Sequence, residues 1–179
     1  LEIDFFGGEP LMNFDVVKEL VKYGREIEGR YGKNIRFTIT TNGILLDDDK
    51  IAYINENMDN VILSIDGRPE VNDRMRKTVN GKGTYDIITK NYKNFVSKRD
   101  GLYYVRGTFT RYNLDFAEDV KHLLDLGFSN VSVEPVVTDS KYDYALRDED
   151  IDTILNEYDR LSDMYIKNAE EGKPFDFFH

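Results

Sequence analysis

Leu1-Glu2-Ile3-Asp4-Phe5-Phe6-Gly7-Gly8-Glu9-Pro10 reads as a short strand running into a tight turn. Leu1, Ile3 and Phe5 point one way and Glu2, Asp4 and Phe6 the other, the period-two alternation of a strand. Two glycines free the backbone to take positive φ or to approach a ligand closely. Bare carbonyls at Gly7 and Gly8 with a carboxylate at Glu9 suit an ammonium group; an ordinary tight turn stiffened by Pro10 is the alternative. The period then changes. Residues 14–31 carry Val16, Val17, Leu20, Val21, Tyr23, Gly24 and Ile27 near the spacing of one helix face, with Asp15 in the N-cap region and Glu19 a turn later.

This strand–turn–helix unit recurs. Segments 35–41 (IRFTITT), 61–66 (VILSID), 104–110 (YVRGTFT) and 131–136 (VSVEPV) are short and rich in β-branched or aromatic residues. Helical spacing predicts helices over 47–57, 85–98, 114–126, with Gly127 as C-cap, and 148–171. The acidic run Asp47-Asp48-Asp49 and the charges of 147–150 read as helix starts favoured by the dipole. Strand and helix alternating five times argue for parallel strands with right-handed crossovers. A complete (β/α)8 barrel uses about 250 residues. The prediction is therefore an α/β fold: one domain over 1–179, a partial, open β/α barrel with about five parallel strands and crossover helices. The link 67–83 has no strong period and reads as a surface loop.

Each strand has one apolar and one polar side, whereas a sheet covered by helices on both faces should read as near-continuous Val, Ile and Leu. Curling such a sheet makes its Thr, Ser, Asp, Glu and Arg side the wall of a wet cavity. An antiparallel sheet with one face in solvent is the competing arrangement, as is mutual pairing of charges such as Asp4, Arg36 and Arg106 inside a closed barrel.

Composition narrows the chemistry. Among 179 residues, 24 Lys and Arg stand against 34 Asp and Glu, a net charge of −10 that argues against a nucleic-acid partner. Cysteine is absent, so these residues form no disulfide, thiol nucleophile or cysteine-ligated metal site. With only His122 and His179, a multi-histidine zinc site is nearly excluded too. No apolar run suggests a membrane span and no signal peptide is present, so a cytoplasmic location is the default. The chain opens inside a strand rather than on Met and looks like a piece of something longer. His122 reads as a surface or half-buried histidine, and the 12 Tyr and 11 Phe as filling between sheet and helices.

In α/β barrels the chemistry sits where strands end. After the second strand, Thr40-Thr41-Asn42-Gly43 offers small donors and acceptors suited to hydroxyls, though Asn-Gly is also common in turns. After the third, Ser64-Ile65-Asp66-Gly67 is followed by Arg76, and Ser64 with an arginine could clamp a carboxylate. A cation, hydroxyls and an anion at one rim are the polar parts of an amino acid joined to a ribose.

At these residues the sequence resembles a radical S-adenosylmethionine (SAM) enzyme. FFGGEPLMN, ITTNG, LSIDG with the following NDRMR, and VSVEP stand in the order of that family's partial (β/α)6 barrel. The resemblance is closest to peptide maturases with SPASM-type auxiliary clusters, and within them to those of six-cysteine (SCIFF) peptides, carried by VRGTFTRYNLDF, VSVEPVVTD and FDFFH. It implies that Gly7, Gly8 and Glu9 hold the SAM amino group. It places the SAM carboxylate at Ser64 and Arg76, the ribose near Thr40, Asn42 and Asp66, and the adenine beside Thr108 and Glu134. It implies a [4Fe–4S] cluster in the parent enzyme that splits SAM to a 5′-deoxyadenosyl radical, and a ribosomal precursor peptide receiving thioether cross-links. The family's CxxxCxxC loop and cysteine-rich SPASM region are not in this sequence. The isolated piece is therefore expected to be inactive, to hold no cluster, and to invite dimer formation through the exposed edge of its first strand. Other readings stay open: a sulfatase maturase or haem-pathway relative, a non-catalytic degenerate barrel acting as a binding domain, and an ordinary α/β barrel. The last should show a glycine-rich phosphate loop near the final strands, and 135–144 has none.

Overall fold

The computed structural model describes residues 1–178; His179, counted above and closing the FDFFH stretch, lies outside the described residues. The elements in order are β1 (Glu2–Phe5), α1 (Phe14–Tyr31), β2 (Arg36–Thr41), α2 (Asp48–Asn57), β3 (Asn60–Ser64), α3 (Pro69–Met75), α4 (Tyr85–Val96), β4 (Leu102–Phe109), α5 (Phe116–Asp125), β5 (Asn130–Pro135), α6 (Ile151–Glu170) and β6 (Asp176–Phe178). The fold is α/β, with a six-stranded sheet in the order β1-β2-β3-β4-β5-β6. β1 pairs parallel with β2, β2 with β3, β4 with β5 and β5 with β6. The antiparallel alternative is thereby removed. The chain divides into two compact units, residues 1–64 with 86–103, and 65–85 with 104 onward.

In the first unit, Phe37 and Ile39 of β2 are completely buried, and α1 presents Phe14, Val17, Val21 and Gly24 to the interior. Gly24 lets the helix approach, since a Cβ there would meet Phe37 Cζ at 2.4 Å. The helix follows a 3-10 turn, Pro10–Asn13, so its N-cap is Asn13; Asp15 sits within the first turn, where its charge favours the dipole. Asp47 caps α2 as expected, accepting the Lys50 N–H at 2.9 Å. β1 departs from the face pattern. It is an edge strand whose apolar side is only partly covered, with Ile3 39% exposed and Phe5 half-buried against Phe37.

In the second unit, Val105 and Phe109 of β4, Val131 and Val133 of β5, and Phe116, Val120 and Leu123 of α5 are fully buried. Phe109 and Phe116 stack at 4.3 Å, and Tyr158 of α6 meets Phe116 edge-on at 5.0 Å. Two elements were not predicted. The expected loop 67–83 holds α3, started by Pro69 at its first position, and a small hairpin closed by a Lys77–Gly83 bridge. β6 pairs with β5 over only three residues, too few to show an alternation.

The polar strand sides are only partly wet. Thr38 and Thr40 of β2 and Ser132 of β5 are buried. Arg106 pairs with Glu134 at 3.8 Å, so charge pairing does account for that arginine.

Candidate functional site

In a parallel arrangement the C-terminal strand ends and their loops share one edge, where α/β proteins bind ligands. In the first unit that edge carries Gly7–Glu9, Thr40–Asn42 and Ser64. Gly7 and Gly8 take φ of 94° and 58°, and a Cβ at either would meet nothing within 4 Å. Their glycine requirement is thus backbone conformation, which leaves their surroundings open.

Glu9 ties this turn to the end of β2. One carboxylate oxygen accepts the Leu11 N–H at 3.1 Å and the Thr41 hydroxyl at 2.7 Å, and the other accepts the Asn42 N–H at 2.7 Å. Its first task is therefore structural, with one lone-pair direction on the second oxygen left over after these bonds. Asn42 uses its own side-chain oxygen to accept the Ile44 N–H at 3.1 Å, as an Asx turn does. Thr40 differs. Its hydroxyl is buried and, among the described residues, has no hydrogen-bond partner. Such an orphan is uncommon, and a water, an ion or a bound molecule would satisfy it.

Sequence reasoning passed over the group that aligns these strand ends. Tyr92 of α4 is fully buried, and its hydroxyl reaches the Ser64 carbonyl at 2.9 Å and the Thr41 carbonyl at 3.3 Å. One phenolic proton spans the C-terminal ends of β2 and β3. The stripe Ile88–Tyr92–Phe95 marked it as core, and nothing in the sequence distinguished its hydroxyl.

In the second unit the candidates are Asp66, Arg76, Thr108 and Glu134. The fork of Arg76 donates to Asp66 from Nε at 2.8 Å and from its terminal nitrogen at 2.7 Å. Asp66 also accepts the Thr108 N–H at 3.0 Å and is 3% exposed. The sequence reading gave Asp66 to a ribose and the Arg76 fork to a ligand carboxylate. The structure joins the two to each other, so Asp66 acts as the anchor that orients Arg76. Thr108 is half-buried, and Glu134 is exposed at the end of β5. Gly107 permits this approach, because a Cβ there would meet the Ile65 carbonyl at 2.7 Å.

A second polar network, also missed, holds α3. Arg68 donates to both oxygens of Asp115 at 2.9 and 2.8 Å, and through its N–H and Nε to Asp119 at 3.0 and 2.8 Å. Asn72, fully buried, bonds Asp73 and Thr84, and Asp73 in turn accepts the Thr84 and Tyr85 N–H groups at the start of α4. Burial pushes the Asp119 carboxyl up, opposed by its hydrogen bonds from Arg68 and Asn113. The Arg68 fork holds the Asp115 carboxyl below the ordinary carboxylate range. A depressed carboxylate contributes stability above its unfolded pKa, about 3.9, and loses it as pH falls through the folded value. Asp115→Asn should therefore leave less acid-induced loss of thermal stability below about pH 4 than the wild type shows; identical pH profiles for the two would refute this. His122 accepts or donates to the Tyr85 hydroxyl at 2.6 Å, and burial lowers its pKa, in keeping with a half-buried structural histidine.

Among the described residues no group of three or more His, Cys, Asp or Glu could hold a metal ion, and no helix is long and apolar enough to cross a membrane.

The α/β fold with its parallel strands agrees with the comparison with known proteins. Residues 2–123 match the radical SAM superfamily, and the chain belongs to it. It is 31% identical to the uncharacterized protein MJ0907 of Methanocaldococcus jannaschii over 176 residues, 96% of this chain and 59% of that one. It is 27% identical to a cysteine-type anaerobic sulfatase-maturating enzyme of Clostridium novyi over 175 residues, 94% of this chain and 46% of that enzyme. The structure of native anSMEcpe with bound AdoMet and the Kp18Cys peptide superposes with a TM-score of 0.86 at 21% identity, over 98% of this chain and 49% of that one. Streptococcus suis SuiB bound to its precursor peptide SuiA gives 0.69 at 17% identity, over 98% and 37%. These structural likenesses concern the fold alone. The chain spans about half the length of the curated relatives it matches.

Proposed function

We propose that this chain is the SAM-binding barrel core of a radical SAM maturase acting on a ribosomal precursor peptide, where it serves the formation of thioether cross-links in a cysteine-rich substrate. The observation that carries the cofactor assignment is the buried, partnerless Thr40 hydroxyl, beside a glycine turn that is open on both residues. Gly7 and Gly8 offer carbonyls, with Glu9, to the SAM amino group. Thr40 and Asn42 face the ribose hydroxyls. Ser64 and Arg76 serve the carboxylate, with Asp66 fixing the arginine, and Thr108 and Glu134 border the adenine.

When bound beside a reduced [4Fe–4S] cluster, SAM supplies a 5′-deoxyadenosyl radical that removes a hydrogen atom from substrate. This chain has no cysteine and supplies no ligand to such a cluster. Its part is binding and orientation. Backbone carbonyls at 7–8 cannot titrate, the Asp66–Arg76 pair holds its cation in one plane, and the apolar strand sides keep the sheet rigid behind them.

Sulfatase maturation is the second reading, favoured by the identity to the Clostridium novyi enzyme over 94% of this chain. The parent enzyme assayed with a cysteine-rich precursor peptide and with a sulfatase-derived peptide separates the two. Mass loss with cross-linking in the first supports the thioether reading, and turnover of the second alone contradicts it. The 179-residue chain itself, treated anaerobically with iron and sulfide, should show no [4Fe–4S] absorption and release no 5′-deoxyadenosine. A stoichiometric cluster would overturn that expectation.

A further inference from the structure

In the second unit, the loops after β4 and β5 carry an aromatic run that SAM binding does not use. Tyr112 lies 6.3 Å from Tyr144, and Tyr144 stacks on Tyr142 at 5.3 Å with ring planes 20° apart. The Arg74 guanidinium, on α3, lies 3.9 Å from the centre of the Tyr112 ring. Arg74 and Tyr112 line a cavity of about 420 Å³ together with Val71, Met75 and Asn113.

The neighbouring cations are already matched. Arg68 is held by Asp115 and Asp119, Arg111 by Glu149 and Asp150, and Lys141 by Asp139. Arg74 is held by a ring instead, and among the described residues no carboxylate lies within hydrogen-bonding or ion-pairing reach of it. The Arg74 guanidinium lies over the Tyr112 ring, a cation–π contact that leaves its N–H donors for a carboxylate, which a guanidinium binds with two parallel hydrogen bonds. Val71 and Met75 give apolar wall for a methylene stem. Arg68, Glu70 and Asp115 share the wall, Arg68 pairing with both acids, so the lining is not strongly cationic, which disfavours a polyanion such as nucleic acid.

We propose that this cavity is a docking subsite for a single glutamate side chain of an extended peptide, its carboxylate on Arg74 and its stem on Val71 and Met75. The tyrosines 112, 144 and 142 would carry the flanking peptide. The inference rests on the peptide-maturase reading and names one feature of the substrate that such an enzyme would select.

The test is NMR titration of the isotope-labelled chain with two probes, acetyl-Gly-Glu-Gly-Tyr-Gly-amide and its Gln twin, without SAM. The Glu probe should move the amides of Tyr112 and Asn113 and the Arg74 side-chain N–H, and bind about tenfold more tightly than the Gln probe. Arg74→Gln, whose spectrum reports its own folding, should bring both probes to the same weak affinity, and Arg74→Lys should restore only part of the difference. Equal binding of the two probes to wild type, shifts confined to other residues, or no shifts at millimolar probe would each overturn the proposal. Because SAM is absent, a failure here leaves the SAM assignment standing, and that assignment fails only on its own titration.

Discussion

Asp66→Ala should lower folding stability by about 3 kcal/mol or more, the range for removing one member of a buried ion pair. The carboxylate is 3% exposed and receives three hydrogen bonds, two from Arg76 and one from the Thr108 N–H. Its removal strands the Thr108 backbone donor and takes two hydrogen bonds from a guanidinium that is only partly reached by water. Because the Arg76 side chain is 29% exposed, some rehydration holds the loss toward the lower end. Asp66→Asn keeps an acceptor for Thr108 and should fall between wild type and Ala. Urea unfolding of the three proteins checks the order. A loss below about 1 kcal/mol for Asp66→Ala, the scale of an exposed pair, would show that the pair does not anchor this loop.

Gly43→Ala should be comparably severe for a different reason. Gly43 has φ of 75°, which a side chain rarely adopts, and an added Cβ would lie 2.1 Å from the Tyr92 ring. Left-handed backbone costs about 1–2 kcal/mol and overpacking a rigid core about 1–3 kcal/mol more. Tyr92 cannot yield easily, because its hydroxyl is fixed to the Thr41 and Ser64 carbonyls. Tyr92→Phe alone should remove only about 1 kcal/mol, since it deletes a hydrogen bond and leaves the packing. Adding Tyr92→Leu to Gly43→Ala should relieve the clash, so the pair should be less destabilised than the sum of the two single changes. Strict additivity in thermal or urea unfolding would mean that ring and glycine do not meet.

Much of this architecture was readable from the alternation of residues. Leu63 and Ile65 or Val131 and Val133 can face inward only on a strand, and helical stripes between such strands leave parallel pairing as the economical connection. α3 was not readable because its seven residues are mostly polar and its start depends on Pro69 and on Arg68 reaching Asp115 and Asp119 some fifty positions away. β6 is shorter than the period that would reveal it. Among the candidate site residues, Gly7, Gly8, Glu9 and Asn42 stand out in the sequence because turn chemistry marks them, and Thr40 because it lies near the end of a strand. Local sequence did not show that Asp66 would engage Arg76 rather than a ligand, since a carboxylate ten residues before an arginine meets it only if the intervening segment folds back. Here the buried amide of Asn72 and the Asp73 cap on α4 make it do so.

The central claim, that these residues bind SAM, is tested most directly by titrating SAM into the isotope-labelled chain and mapping the amide shifts. Binding should be weak without a cluster iron to chelate the amino acid. Shifts should centre on Gly7, Gly8, Thr40, Asn42, Arg76 and Thr108, with Thr40→Val, which deletes only the unpartnered hydroxyl, reducing them. Shifts confined to other parts of the chain, or none at millimolar SAM in a folded protein, would contradict the assignment.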